Sequence, residues 1–221
     1  MKSPRKTNSD FVFKRDAPDL PRHLEPLECG SSGGEITLIE ERHVQDCDWT
    51  NTKTGALRME GSVLERVQLA GGQLGSVVWR DVRLVGCDLA NLLAHRMTLV
   101  RVELIDCRLT GLRASSLDWQ DVLVQNGDAR YAQLQGGNFR ACEFKTSNWQ
   151  EADLRGADLS GAVFRSCDLT RADLQSAKLN HADFRGSEVE GMLVGVNDLR
   201  GTIVDPAQAM VFARLLGLQI R

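Results

Sequence analysis

Every fifth residue from Met59 to Leu199 is apolar, 29 positions without exception. The series runs through Leu64, Leu69, Leu74, Trp79 and Leu84, passes the small members Ala94, Ala114 and Ala129, and continues to Phe164, Leu169, Leu174, Leu179 and Phe184. In a chain that is 42% hydrophobic, independent positions would give such a run roughly once in 10¹¹ trials. Backward, the register reaches Trp49, Val44 and Ile39, with Thr54 its one polar member. A second register lies two residues earlier and is mostly small or apolar: Val67, Gly72, Val77, Cys87, Cys107, Ala132, Cys142, Ala152, Ala162, Cys167, Ala182. Two residues in every five are therefore inward, one large and one small. Neither a 3.6-residue helix nor a plain alternating strand repeats at five. Short strands joined by tight turns do, because alternation along each strand points two side chains inward and the one between them outward. Glycine recurs two residues after the large position, as at Gly61, Gly111, Gly156 and Gly186, which predicts a corner with positive φ.

The segment ADLRGADLSGAVFRSCDLTRADLQSAKLNHADFRGS, from Ala152 to Ser187, resembles the consensus A(D/N)Lxx of the pentapeptide-repeat family. That resemblance implies an all-β solenoid, a right-handed quadrilateral β-helix with four pentapeptides per coil, so that residues 20 apart stack. Residues 35–203 then make about eight coils, and at ~4.8 Å per rung a rod ~40 Å long. The sequence carries its own support for the 20-residue coil. Ala94 and Ala114 are small where the register is large, but their inward neighbours Leu92 and Leu112 are large, so volume is exchanged within each pair. Ala129 has only Gly127 beside it, a gap that the Trp149 indole, one coil on, could fill.

Both ends depart from the period. Residues 1–34 hold four of the five prolines and read as a leader that is loosely ordered and partly covers the first coil, with Phe11, Val12 and Phe13 able to dock and Cys29–Gly34 as a flexible joint. Residues 204–221 read as a short C-terminal α-helix and tail: Asp205 suits the N-cap, Pro206 the first turn and Gly217 the C-cap. One face of this helix, Ala207, Met210, Val211 and Leu215, is expected to seal the solenoid. The other leaves Phe212 and Leu216 exposed, and with Leu218 and Ile220 these form the candidate interface of a two-fold dimer. The tail is similar to those of MfpA- and Qnr-type family members, which dimerise at this end.

The net charge of −3 lacks the basic excess that phosphate neutralisation needs, so direct nucleic-acid binding is not expected. The basic residues Lys2, Arg5 and Lys6 precede no signal-peptide core, and no run approaches the ~18–20 apolar residues of a membrane span, which makes the cytoplasm the expected location. Of the six cysteines, Cys47, Cys87, Cys107 and Cys167 share one column and read as small hydrophobes in place of alanine; no CxxC pair suggests a metal. The histidines His23, His43, His95 and His181 form no cluster with carboxylates, and neither GxSxG nor a phosphate-cradling glycine motif occurs. No cofactor, metal or catalytic residue is expected.

Surface pattern remains. Asp88, Asp128, Asp168, Glu188 and Glu190 lie along one outward face, interrupted by Arg108 and Arg130. Apolar residues stand at outward positions on another: Val63, Val85, Ile105, Leu123 and Val163. Of these, Val85, Ile105 and Leu123 join the acidic row as the candidate partner surface, although the leader could equally cover them. The expected function is a non-enzymatic scaffold that presents flat faces to a protein partner. The resemblance to MfpA and Qnr proteins implies a second reading, a DNA mimic that binds DNA gyrase or another type II topoisomerase and shields it from quinolones, a route to antibiotic resistance. That reading calls for a strongly acidic surface. Residues 35–203 hold 24 acidic and 19 basic side chains, and the unbroken register leaves no room for the projecting loops of many Qnr proteins.

Overall fold

The structure, a computed structural model, describes residues 13–29, 38–215 and 217–219. Three short strands open it: β1 (Glu25–Leu27), β2 (Leu38–Glu40) and β3 (Arg42–Gln45). Four long strands follow, β4 (Lys53–Glu65), β5 (Gln73–Val85), β6 (Leu93–Ile105) and β7 (Arg113–Gln125), then the three-residue strands β8 (Asn138–Arg140), β9 (Glu143–Lys145) and β10 (Val163–Arg165). A single helix, α1 (Pro206–Leu215), closes the described chain. All strand pairs are parallel, and from β2 onward each residue pairs with the one 20 later, Leu64 with Leu84, Leu84 with Leu104, Leu104 with Val124. Isolated bridges carry the same step onward, as from Asp153 to Asp173 and from Asp183 to Ile203. The fold is the right-handed quadrilateral β-helix, with about seven complete turns. Residues 196–201 form turns, where the repeat count of the sequence allows about eight coils.

The five-residue register is the core. Leu64, Leu84, Val124, Phe139, Leu159, Leu169 and Phe184 are essentially inaccessible, as are Val67, Val82, Val122, Ala152 and Ala182 of the small register. Phe144, Phe164 and Phe184 stack along the axis with ring centroids 4.5 and 4.9 Å apart. Ala94 pairs with Ala114, and both stay buried beside Leu92 and Leu112, so the exchanged volumes fill the section. A Cβ on Gly127 would meet Val124 Cγ1 at 2.6 Å, and the Ser147 hydroxyl accepts the Gly127 N–H at 3.3 Å.

The corner predicted from the glycine phase is present. Left-handed residues recur at this phase, both glycine and non-glycine, as at Asn91, Asp106, Gly111 and Gly156. Glycine also relieves crowding in this column: a Cβ on Gly111, at φ 66°, would sit 2.5 Å from Asn91 Oδ1. Opposite charges stack across coils at the corners, Arg66 on Asp46 at 2.7 Å and Arg101 on Asp81 at 2.5 Å.

Candidate interaction surfaces

With the interior packed, function has to be sought on what the coils turn outward. The aspartates of the acidic row are one column: Asp88 pairs with Arg108, Arg108 with Asp128, Asp128 with Asn148, Asn148 with Asp168 and Asp168 with Glu188. Their first task is local. The Ala90 N–H donates to Asp88 at 2.8 Å, Arg130 N–H to Asp128 at 3.3 Å and Thr170 N–H to Asp168 at 2.9 Å, each closing the corner two residues on. Cations and amides take up the outer oxygens. Arg130 grips Asp128 with both arms at 2.9 and 2.8 Å, Gln150 donates to Asp168 at 2.6 Å, and Arg108 reaches Asp88 at 3.3 Å. Hydrogen bonding from Arg130, foremost, holds the Asp128 carboxyl below the usual carboxylate range. At Asp168 burial pushes upward, but the hydrogen bonds from Thr170 and Gln150 outweigh it and the carboxyl is again lowered. The row is therefore a column of turn caps, and the repeat consensus asks for Asp or Asn there for that reason. Glu188 and Glu190 are exposed, and Glu190 faces Arg214 of α1 at 3.5 Å.

The outward apolar residues divide. Val85 and Ile105 pair with each other and are half-buried. Leu123 lies in a different column, between Glu103 and Glu143, and is only 6% exposed. Its place in the candidate partner surface is corrected: Arg15 of the leader reaches Glu103 at 3.0 Å and Glu143 at 4.0 Å, one on each side of Leu123, and so closes over it. Val163, in the same column, is buried as well.

The leader itself goes well beyond the first coil. From β1, which pairs with β3, it climbs the rod along the corner column: Pro21 lies against Gly61, the Asp19 N–H donates to Asp81 at 2.9 Å and the Asp16 N–H to Asp121 at 3.1 Å. Asp81 is 7% exposed; burial raises its pKa, but bonds from Arg101 and the Asp19 N–H outweigh this and leave it lowered. At the root of this strap Cys29 is joined to Cys47 in a disulfide, with Cα atoms 5.6 Å apart. The reading of Cys47 as a plain hydrophobe missed this, since nothing in the repeat places Cys29 beside it. Cys87, Cys107, Cys142 and Cys167 are buried free thiols, and burial pushes Cys167 up to about 11. Phe13 is half-buried, while Phe11, Val12 and 30–34 of the expected joint lie outside the described residues.

At the other end, α1 starts as expected. The Gln208 N–H donates to Asp205 Oδ1 at 3.0 Å while the Asp205 N–H donates to Gln208 Oε1 at 3.0 Å, a reciprocal capping box. Gly217 is left-handed at φ 73°. The sealing face, however, is rotated from the one read off the sequence. Phe212 is 8% exposed and joins the core, and Gln208 is 4% exposed, its Nε2 donating to the carbonyls of Phe184 and Ser187 at 2.6 and 2.7 Å. Phe212 is thus a plug and not a dimer contact, because Gln208, one turn before it on the same face of α1, is drawn onto the Phe184 and Ser187 carbonyls and Phe212 turns inward with it. Met210, expected to seal, is 52% exposed instead. Leu193, Val196 and Leu218 are exposed as well, and Val196 lines a depression of about 310 Å³ together with Leu199, Thr202, Val204, Ala209, Phe212 and Ala213. Leu216 and Ile220 lie outside the described residues, and Leu215's side chain is likewise not described. Among the described residues no group of three or more His, Cys, Asp or Glu could hold a metal ion, and no helix is long and apolar enough to cross a membrane.

Comparison with known proteins agrees with this geometry. Residues 147–186 match pentapeptide repeats, in eight copies. No curated protein matches the chain. Among solved structures, a trypsin-treated variant of QnrB1, a plasmid-mediated fluoroquinolone resistance protein, is similar at 20% identity and TM-score 0.52, over 89% of this chain and 95% of that one. Full-length QnrB1 gives 20% identity and TM-score 0.45 over 88% and 95%. HetL, involved in heterocyst differentiation regulation in the cyanobacterium Nostoc, gives 18% and 0.25 over 77% and 87%.

Proposed function

We propose that this chain, whose residues 147–186 match pentapeptide repeats, is a non-enzymatic interaction rod, whose flat faces bind a protein partner and whose C-terminal end joins two copies. The observation that carries this reading is the filled interior: the space a catalytic cleft would need is occupied by the stacked Phe144, Phe164 and Phe184 and by the leucine columns on either side. What is left to act is a rigid, four-sided surface with fixed side-chain spacing. Exposed Leu193, Val196, Met210 and Leu218, all in the last coil or beyond it, support self-association at that end, since large apolar side chains gain by burial. Sedimentation of the native chain and of a Met210→Glu, Leu218→Glu double variant tests this half: a dimer for the first and a monomer for the second are expected, and a native monomer at high concentration refutes it. For the other half, native and Ile105→Glu rods serve as baits in extract of the source cell. A partner held by the first and lost by the second supports the reading, whereas identical captures defeat it.

A second reading is favoured by the likeness to QnrB1 across most of both chains: the partner is a type II topoisomerase such as DNA gyrase, bound in the manner of a DNA mimic in the cytoplasm. The acidic column works against it, because Arg108 and Arg130 neutralise it. A gyrase supercoiling assay with and without a quinolone separates the readings: inhibition or drug protection at micromolar protein supports the topoisomerase, and no effect at large excess removes it.

A further inference from the structure

The strap is fastened in two unequal ways. Along residues 15–21 it touches the rod by scattered contacts spread over several coils: Arg15 to Glu103 and Glu143, the Asp16 N–H to Asp121, the Asp19 N–H to Asp81. Apart from three residues of β1, it forms no ladder. A segment held by scattered, part-buried bonds opens more readily than the coils beneath it. At its root the attachment is covalent, through the Cys29–Cys47 disulfide, whose partners are 18 residues apart. Under the strap lie the carboxylates of Asp81, Glu103, Asp121 and Glu143 around the apolar Leu123, with Arg101 on Asp81, Arg83 on Glu103 and Lys145 on Glu143 from the rod itself.

We propose that the strap is a redox-controlled cover, held shut over this face by the Cys29–Cys47 disulfide and released when that bond is reduced. The reason is tethering. With the disulfide formed, position 29 cannot leave the first coil, and residues 13–27 start from a point fixed on the rod. With it broken, the strap keeps only the three-residue β1–β3 pairing and the chain that leads to Leu38, so its effective concentration over the face falls. The chemistry is ordinary thiol–disulfide exchange with a small-molecule thiol. Its thiolate attacks the sulfur of Cys29, which is exposed, whereas Cys47 is 1% exposed. The sulfur–sulfur bond breaks, Cys47 leaves as thiolate and takes a proton. A second thiolate then attacks the mixed disulfide, which frees Cys29 and forms the disulfide of the reductant. The protein gains two electrons and two protons, and two thiols become one disulfide. The other described cysteines are buried in the core and do not compete. In a reducing compartment such bonds are the transient, sensing kind.

Hydrogen exchange on the full chain, oxidised and after dithiothreitol, reads the cover directly. Reduction is expected to speed exchange of the Asp16 and Asp19 amides by about ten-fold or more, while the amides of Val102 and Val122 within the coils are unchanged. Cys29→Ser, on the exposed strap, should exchange fast whether or not reductant is present. Cys47→Ala, which puts in the commonest small residue of that five-residue register, should do the same. Equal rates for oxidised and reduced protein overturn the proposal, as does a continued response to dithiothreitol in either variant. So does finding all six cysteines reactive in unfolded protein that has met no reductant.

Discussion

The rod has two halves that solve one problem differently. From Lys53 to Gln125 each coil contains a 13-residue strand, and from Asn126 to Val194 the strands shrink to three residues or to single bridges. The difference sits in one corner. In the second half that corner is left-handed at Gly136, Gly156 and Ser176, whereas Ala56, Ser76, Arg96 and Ser116, in earlier coils of the same column, are not. The inward residue just past it changes in step: Leu57, Val77, Met97 and Leu117 in the first half, Gly137, Ala157 and Ala177 in the second. A large side chain needs a wider section, and the backbone makes room by running extended through the corner. A small one lets the chain turn tightly. Side-chain volume at one position thus selects the backbone of the whole edge. The half that keeps the consensus is also the half that matches the family, at 147–186.

Removing the axial stack should have the largest effect. Phe164→Ala leaves a hole between Phe144 and Phe184 and should cost about 3–5 kcal/mol, seen as a lower midpoint in urea unfolding. Exchanging volumes at the corner tests the comparison itself. Leu117→Ala should cost about 2–5 kcal/mol through the cavity it opens, and Ala157→Leu about 1–3 kcal/mol through overpacking. If Ala157→Leu is neutral, volume does not choose the corner. Replacing Gln208 by Leu takes the Nε2 donor from the Ser187 carbonyl at the plugged end, while the Phe184 carbonyl keeps the Ser187 N–H, with an expected loss of about 1–3 kcal/mol. The backbone side of the argument predicts a smaller contrast: Gly156→Val, at φ 66°, should cost about 1–2 kcal/mol, and Ser116→Val, in an extended strand, less than ~0.5 kcal/mol.

Acid should distinguish the strapped half most gently. The Asp81 carboxyl is lowered from 3.8 on folding, so its contribution is whole above the unfolded value and is lost as pH falls through the lower, folded one. Exchange of the Asp19 amide, which Asp81 accepts, should therefore speed up as pH falls below 3.8, relative to coil amides such as that of Val122. Asp81→Asn should remove that dependence.

Much of this was legible in the chain. The core, the 20-residue step, the positive-φ corner and the helix start at Asp205 all follow from residues that meet neighbours at fixed spacing. The signal for the two halves was present as well, in Leu57, Val77, Met97 and Leu117 against Gly137, Ala157 and Ala177, but a volume change reads as noise until the corner it controls is seen. The candidate sites were less legible. Asp88, Asp128 and Asp168 stood out as an acidic row, yet each is engaged by a backbone N–H two residues on, and Leu123 stood out as exposed only because nothing in its own repeat announces Arg15.

The sequence alone determined the solenoid, because each coil touches only the coils next to it and a nearest-neighbour rule written every five residues needs no further information. The tertiary structure decided what lies on that solenoid: the path of the strap, the pairing of Cys29 with Cys47, and the rotation of α1 that buries Phe212 and exposes Met210. Those depend on groups far apart in the chain that meet once and repeat nowhere, so no period records them.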